Sequence, residues 1–284
     1  MPIDPQKALG YQAPETTGGW DQDQVILYHL GIGAGVPPTD PRELSYTYEQ
    51  NLKVLPSFGV IPVSGAFAGL ASIPGIDINL AMILHGEQDL EIRQPIPAQA
   101  KVTHRSRVAN LYDKGKAAIL VLEVETREEQ GAVLFVNRFS LFVRGEGGFG
   151  GDGGPKAGNA PPPRAPDFRK ESPTLPQQAL LYRLNGDKNP LHADPEFAKF
   201  GGFDRPILHG LCSYGIVCKA VVDTVLGGDP ARVGRYQARF AGVVFPGETI
   251  VTSMWQEGDR VLVEARTKER DTPVITNAAI LLRP

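Results

Sequence analysis

The chain has 284 residues, 42% hydrophobic and 21% charged, with a formal net charge of −3, so it can bury a sizeable core and has room for two domains. That charge balance excludes the electrostatic footprint of a nucleic-acid or anionic-membrane binder, and a phosphate-bearing ligand has to be met by a local basic patch. Cys212 and Cys218 are the two cysteines; six positions apart on an apolar stretch, they read as core residues of a reduced protein, with no disulfide and no metal site.

The start, Met1-Pro2-Ile3-Asp4-Pro5, has neither a basic segment nor an apolar one, and no stretch approaches a membrane span. With no peroxisomal address in the closing Leu-Leu-Arg-Pro, a cytosolic chain without membrane insertion is expected. Asp21 and Gln24 then have the spacing of a capping box before Val25, Leu27, Tyr28 and Leu30, which predicts a helix ended by Gly31. The run Gly31-Ile32-Gly33-Ala34-Gly35 is no dinucleotide loop, because a helix precedes it and Pro37-Pro38 follows it.

Leu55 to Gly59 opens an apolar segment through Val63 to Ala71, whose small residues Gly65, Ala66, Ala68, Gly69 and Ala71 suit a helix packed closely on a sheet. Strands are expected near 80–94, 98–109, 116–126 and 132–144, with alternation such as Leu120, Leu122 and Val124 against Val121, Glu123 and Glu125. An apolar helix followed by antiparallel strands is an α+β unit. Residues 145–163 hold eight Gly and four Pro, so they form no regular element. They begin an interdomain linker expected over 145–175, between a first domain at 1–144 and a second at 176–284.

The second half repeats the order, with an apolar helix at 207–226 and strands near 234–244, 248–256, 260–268 and 273–282. Gln94 to Val102 can be laid over Val243 to Val251, which points to duplication. Only the second half, however, carries Asn185-Gly186-Asp187-Lys188-Asn189-Pro190-Leu191-His192 ahead of its helix. Gly186 and Pro190 oppose regular structure there, and a loop held in this way can turn a carboxylate, an amide and an imidazole toward one point. Asp194-Pro195 starts a short helix that Gly201-Gly202 stops. Gly210 then falls at the N-terminus of the apolar helix, where unpaired N–H groups favour developing negative charge. Such a set suits proton transfer beside a carbonyl.

Tyr182 to His192, Pro206 to Gly210 and Phe245-Pro246-Gly247-Glu248 together resemble the type 2 enoyl-CoA hydratases, the MaoC-like dehydratases of (R)-3-hydroxyacyl thioesters. The resemblance implies a double hotdog fold, a non-catalytic first half forming tunnel wall for the acyl chain, and one active site per chain. It also implies reversible syn hydration of a trans-2-enoyl thioester by Asp187 and His192, with Asn189 orienting the water or the carboxylate and Gly210 meeting the thioester oxygen. Gly186, His209, Arg205 and Arg239 are candidate substrate contacts; Lys219 and Arg235 are further basic candidates for the phosphates. His29, His85 and His104 are expected to be structural. No cofactor or metal is expected beyond the CoA or acyl-carrier-protein thioester itself. A homodimer is the expected assembly, though the sequence leaves the oligomeric state open, together with chain length, carrier and direction of flux. A hotdog thioesterase directing water at the carbonyl carbon and a non-catalytic acyl-thioester-binding subunit remain alternatives.

Overall fold

A computed structural model describes residues 3–63, 69, 72–78, 83–129 and 131–283. The first half contains α1 (Pro5–Ala8), β1 (Thr16–Trp20), α2 (Gln22–Gly31) and α3 (Pro41–Thr47), then β2 (Ile83–Ile92), β3 (Ala100–Asp113), β4 (Ala117–Glu128) and β5 (Val133–Arg144). The second contains β6 (Phe168–Pro173), α4 (Gln178–Tyr182), α5 (Pro195–Phe200), α6 (Gly210–Thr224), β7 (Val233–Phe240), β8 (Thr249–Glu257), β9 (Arg260–Thr267) and β10 (Pro273–Leu282). No helix among the described residues is long and apolar enough to cross a membrane.

The two halves join edge to edge. One antiparallel sheet runs β1-β3-β4-β5-β2-β7-β10-β9-β8-β6, and β2 of the first half pairs with β7 of the second. This is the double hotdog arrangement of an α+β protein. Alternation assigns the faces of the joining strand: Tyr236, Ala238 and Phe240 face inward, whereas Arg235, Gln237 and Arg239 face outward. Helix α6 lies on the inner face, where the Tyr214 ring stacks on Tyr236 at 3.9 Å and its hydroxyl donates to the Tyr236 carbonyl at 2.9 Å. Because α6 is buried over most of its surface, its sequence is largely apolar.

Gly215 shows why that helix needs a small residue. A Cβ there would sit 2.5 Å from the Tyr28 hydroxyl and 2.7 Å from Ile32 Cγ2 of the first half, so any larger residue would push α2 away from α6. Polar groups hold the same contact further along, where Lys219 lies 2.6 Å from Glu43 and 2.7 Å from Asp223, all three largely buried.

The capping box of α2 forms as the Asp21 and Gln24 spacing predicts, and the expected strands appear with ends shifted by a few residues. Two differences stand out. The linker expected to reach residue 175 carries β6, which pairs with β8 as an edge strand, so helix and strand are absent only over 145–167. Its polar sequence, Phe-Arg-Lys-Glu-Ser-Pro, has no alternation that would mark it. The first-half helix expected after Leu55 begins as a 3-10 turn at Pro56–Val60; Gly65, Ala66, Ala68 and Ala71 lie outside the described residues.

Candidate active site

The segment from Arg183 to His192 is a chain of turns, each locked by the next residue. After α4, a 3-10 turn at Arg183–Asn185 ends at Gly186, whose φ of 121° lies where side chains are strained. The Asp187 carboxylate accepts from the Asn189 N–H at 3.0 Å, and the Asn189 side-chain oxygen accepts from the Leu191 N–H at 3.0 Å, capping the 3-10 turn Pro190–His192. Asn189 is therefore a scaffold for both the Asp187 and the His192 turn. Arg183, half-buried, donates from Nη2 to the Lys188 carbonyl at 3.0 Å and closes the turn from the other side.

His192 is positioned from across the site. Its Nδ1 lies 2.9 Å from the Ile207 carbonyl, and since a carbonyl only accepts, Nδ1 carries the proton and Nε2 keeps a lone pair. Burial lowers the His192 pKa, Arg183 adds to that effect, and the Ile207 carbonyl and the Asp187 charge oppose it. The ring is thus neutral near neutral pH and able to accept a proton.

His209 is 1% exposed. Its Nε2 donates to the Asp187 backbone carbonyl at 3.3 Å, its ring stacks on His192 with centroids 3.7 Å apart, and Tyr182 covers another side at 5.0 Å. His209, expected as a substrate contact, is thus buried between the Asp187 backbone and the His192 ring and holds both in place. Burial, and secondarily His192, push its pKa well below the usual imidazole value.

Ligand atoms of Asp187, His192 and His209 all lie within 4.8 Å of one another, a separation that one water with ordinary hydrogen bonds to two of them can span.

Gly210 opens α6 and is exposed, and among the described residues nothing accepts from its N–H. The helix N-terminus therefore offers a donor to a ligand oxygen. Phe240 walls this point, with Cδ1 3.3 Å from where a Gly210 Cβ would stand.

The basic candidates separate sharply. Arg239 is bound to Glu87 at 2.6 Å and Arg235 to Asp89, both on the outer sheet face, while Lys219 is enclosed by Glu43 and Asp223. Arg239, expected as a substrate contact, lies where period-two alternation turns it away from α6. Arg205 is exposed and stacks over the Phe245 ring at 4.6 Å, with no carboxylate within 4 Å among the described residues. Gly186 supplies the turn and offers no side chain.

Of the residues expected to be structural, His29 donates from Nδ1 to the Tyr46 carbonyl and accepts from the Leu55 N–H at Nε2, and His104 bonds the Thr126 hydroxyl. The site residues that sequence reasoning missed are Arg183 and Phe240. Their signals were adjacency to the Asp187 turn for Arg183 and inward parity on β7 for Phe240.

Residues 19–145 match the family model for the MFE-2 hydratase 2 N-terminal domain, and residues 158–278 match the MaoC-like domain. The chain is 45% identical over 284 residues to enoyl-CoA hydratase ChsH3 of Mycobacterium tuberculosis, covering 99% of each. To the peroxisomal enoyl-CoA hydratase 2 of Arabidopsis thaliana it is 43% identical, covering 94% of this chain and 92% of that one. The crystal structure of a MaoC-like dehydratase from Phytophthora capsici superposes with a TM-score of 0.87 at 36% identity, covering 99% of both chains. A Mycobacterium tuberculosis protein described as a double hotdog fold superposes at 0.58 with 15% identity over 97% of each chain, a likeness of fold alone.

Proposed function

We propose, from the premise that the chain belongs to the hydratase 2 and MaoC-like dehydratase family of hydro-lyases, that Asp187 and His192 bind one water and add it across the trans-2 double bond of an enoyl-CoA. The single observation that carries this is an Asp187 carboxylate oxygen and a His192 ring nitrogen within 4.8 Å of one another, on a ring whose Nδ1 is committed to the Ile207 carbonyl, beside an exposed helix N-terminus.

Water held by the Asp187 carboxylate and His192 Nε2 gives up a proton to that pair as its oxygen bonds to C3. The electrons of the double bond pass to C2 and the thioester oxygen, which the Gly210 N–H meets. Such a donor typically contributes about 3 kcal/mol to transition-state stabilisation. The same pair returns the proton to C2, so one water is consumed, hydrogen and hydroxyl enter on one face, and the (R)-3-hydroxyacyl thioester results. Run backwards, the steps dehydrate it.

Arg205, exposed over the Phe245 ring at 4.6 Å, is the proposed anchor for a CoA phosphate. The acyl chain is proposed to run from Gly210 along the inner face, past Phe240, beneath the sheet of the first half. There the described residues line a cavity of about 430 Å³ with Tyr11, Val63, Ile73, Val108, Leu122 and Val124 among its walls. Product analysis on enoyl-CoA substrates tests the reading, because hydration, thioester cleavage and absence of turnover give a 3-hydroxyacyl thioester, free thiol or unchanged substrate.

A further inference from the structure

Strand β2 carries an irregularity beside the site. His85 faces Leu141 of β5 and Glu87 faces Ser140, so Gly86 is an extra residue against two consecutive partners. In an unbroken strand His85 and Glu87 would share a face. The bulge separates them: Glu87 points outward to its ion pair with Arg239, while His85 points inward with Leu141.

Inside, the half-buried His85 ring sits edge-on to Phe240 at 4.9 Å and tilted against Phe139 at 5.5 Å. Its Nε2 donates to the Glu87 carbonyl at 3.1 Å, which fixes the ring's angle. Phe240 in turn touches the Gly210 position, so a residue of the first half stands one ring away from the proposed oxyanion donor. Burial lowers the His85 pKa to about 4, opposed by the Glu87 carbonyl, Gln88 and the Asp187 charge, so the ring is neutral near pH 7 and within electrostatic reach of the catalytic carboxylate.

We infer that His85 is a specificity-determining residue of a composite site: with Phe240, and backed by the fully buried Phe139, it forms the aromatic wall along which the acyl chain bends from Gly210 into the first half. This rests on the hydratase reading above. An imidazole turned inward by a bulge, tethered to the Glu87 carbonyl and set against two phenyl rings presents a flat ring face, which suits methylene groups beyond the reacting carbons. A short acyl group ends before reaching that surface.

The test compares kcat/KM for trans-2-dodecenoyl-CoA and crotonyl-CoA in the parent, His85→Ala and His85→Phe, with thermal midpoints recorded. The long-to-short ratio is expected to fall about tenfold in the alanine variant through KM, the effect of losing one ring's apolar contact, and to recover to within about twofold in the phenylalanine variant. Should the alanine variant not fold, His85→Trp, which intrudes on the path, is expected to lower the same ratio. An unchanged ratio, or parallel loss at both lengths, overturns the inference. A parent that hydrates neither substrate contradicts the hydratase reading instead.

Discussion

The imidazoles of His192 and His209 lie face to face, centroids 3.7 Å apart and planes tilted by 29°. A proton on either ring would place a positive charge against the other, and burial already disfavours it. Since His192 accepts a proton only when neutral, kcat/KM is expected to hold from about pH 8 down to about 6.5 and to decline below that, as pH approaches its lowered pKa. His209→Ala removes both the stack and the bond to the Asp187 carbonyl, and a loss of ten- to about a hundredfold in kcat/KM is expected from the displaced pair. A pH profile with its acid limb above 6.5, or full activity without the His209 ring, would count against this arrangement.

Arg205 and Arg239 give opposite expectations from similar chemistry. Arg205→Ala is expected to raise KM for CoA thioesters by about tenfold, the worth of one charge-assisted hydrogen bond, and to leave KM for an N-acetylcysteamine thioester of the same acid in place. Arg239→Ala breaks an ion pair on the outer face and should alter neither value. Steady-state kinetics with the two carriers decides both, and equal effects on both carriers would remove Arg205 from the phosphate site.

His29 is fully buried, and burial lowers its pKa to about 4. Its folded value lies below the unfolded value of about 6.5, so the unfolded chain takes up the proton first as pH falls. The stability tied to its neutral form is therefore complete above about pH 6.5 and lost between there and about pH 4, amounting to about 3 kcal/mol. Thermal midpoints should drop through that window. His29→Leu, although less stable at pH 7 because the Tyr46 carbonyl and Leu55 N–H lose their partner, should show a flatter pH dependence.

Lys219 is enclosed with Glu43 and Asp223 at the contact of α6 with the first half. Lys219→Met leaves two buried carboxylates without their cation, and destabilisation of about 3 to 5 kcal/mol is expected in a denaturant titration. The folded fraction should keep its turnover, because no residue of this cluster meets the catalytic pair.

Most of the architecture was legible because it follows local rules. Alternation marks β4, the Gly-rich run marks the linker, and Asp21 with Gln24 marks the start of α2. The Asp187 to His192 segment was legible for a related reason: Gly186, Asn189 and Pro190 shape their own turns, so the sequence of the turn is nearly its geometry. What stayed hidden depends on contacts distant in sequence. His209 looks like a substrate group until Tyr182 and His192 are seen to enclose it. The inward turn of His85 rests on one extra residue, Gly86, against β5, which no periodicity within β2 reveals. Arg239 differs, since the parity of Tyr236, Ala238 and Phe240 already assigned it to the outer face once the core side of β7 was known.

The central claim is that Asp187 and His192 act together on one water. The most direct measurement incubates the purified chain with a trans-2-enoyl-CoA, following loss of the conjugated thioester absorbance and the configuration of the product, with Asp187→Asn and His192→Ala alongside. The account predicts the (R)-3-hydroxyacyl thioester from the parent and a loss of about a thousandfold or more in either variant, with little further loss when the two are combined. Free CoA, the (S)-alcohol, or variants as active as the parent would contradict it.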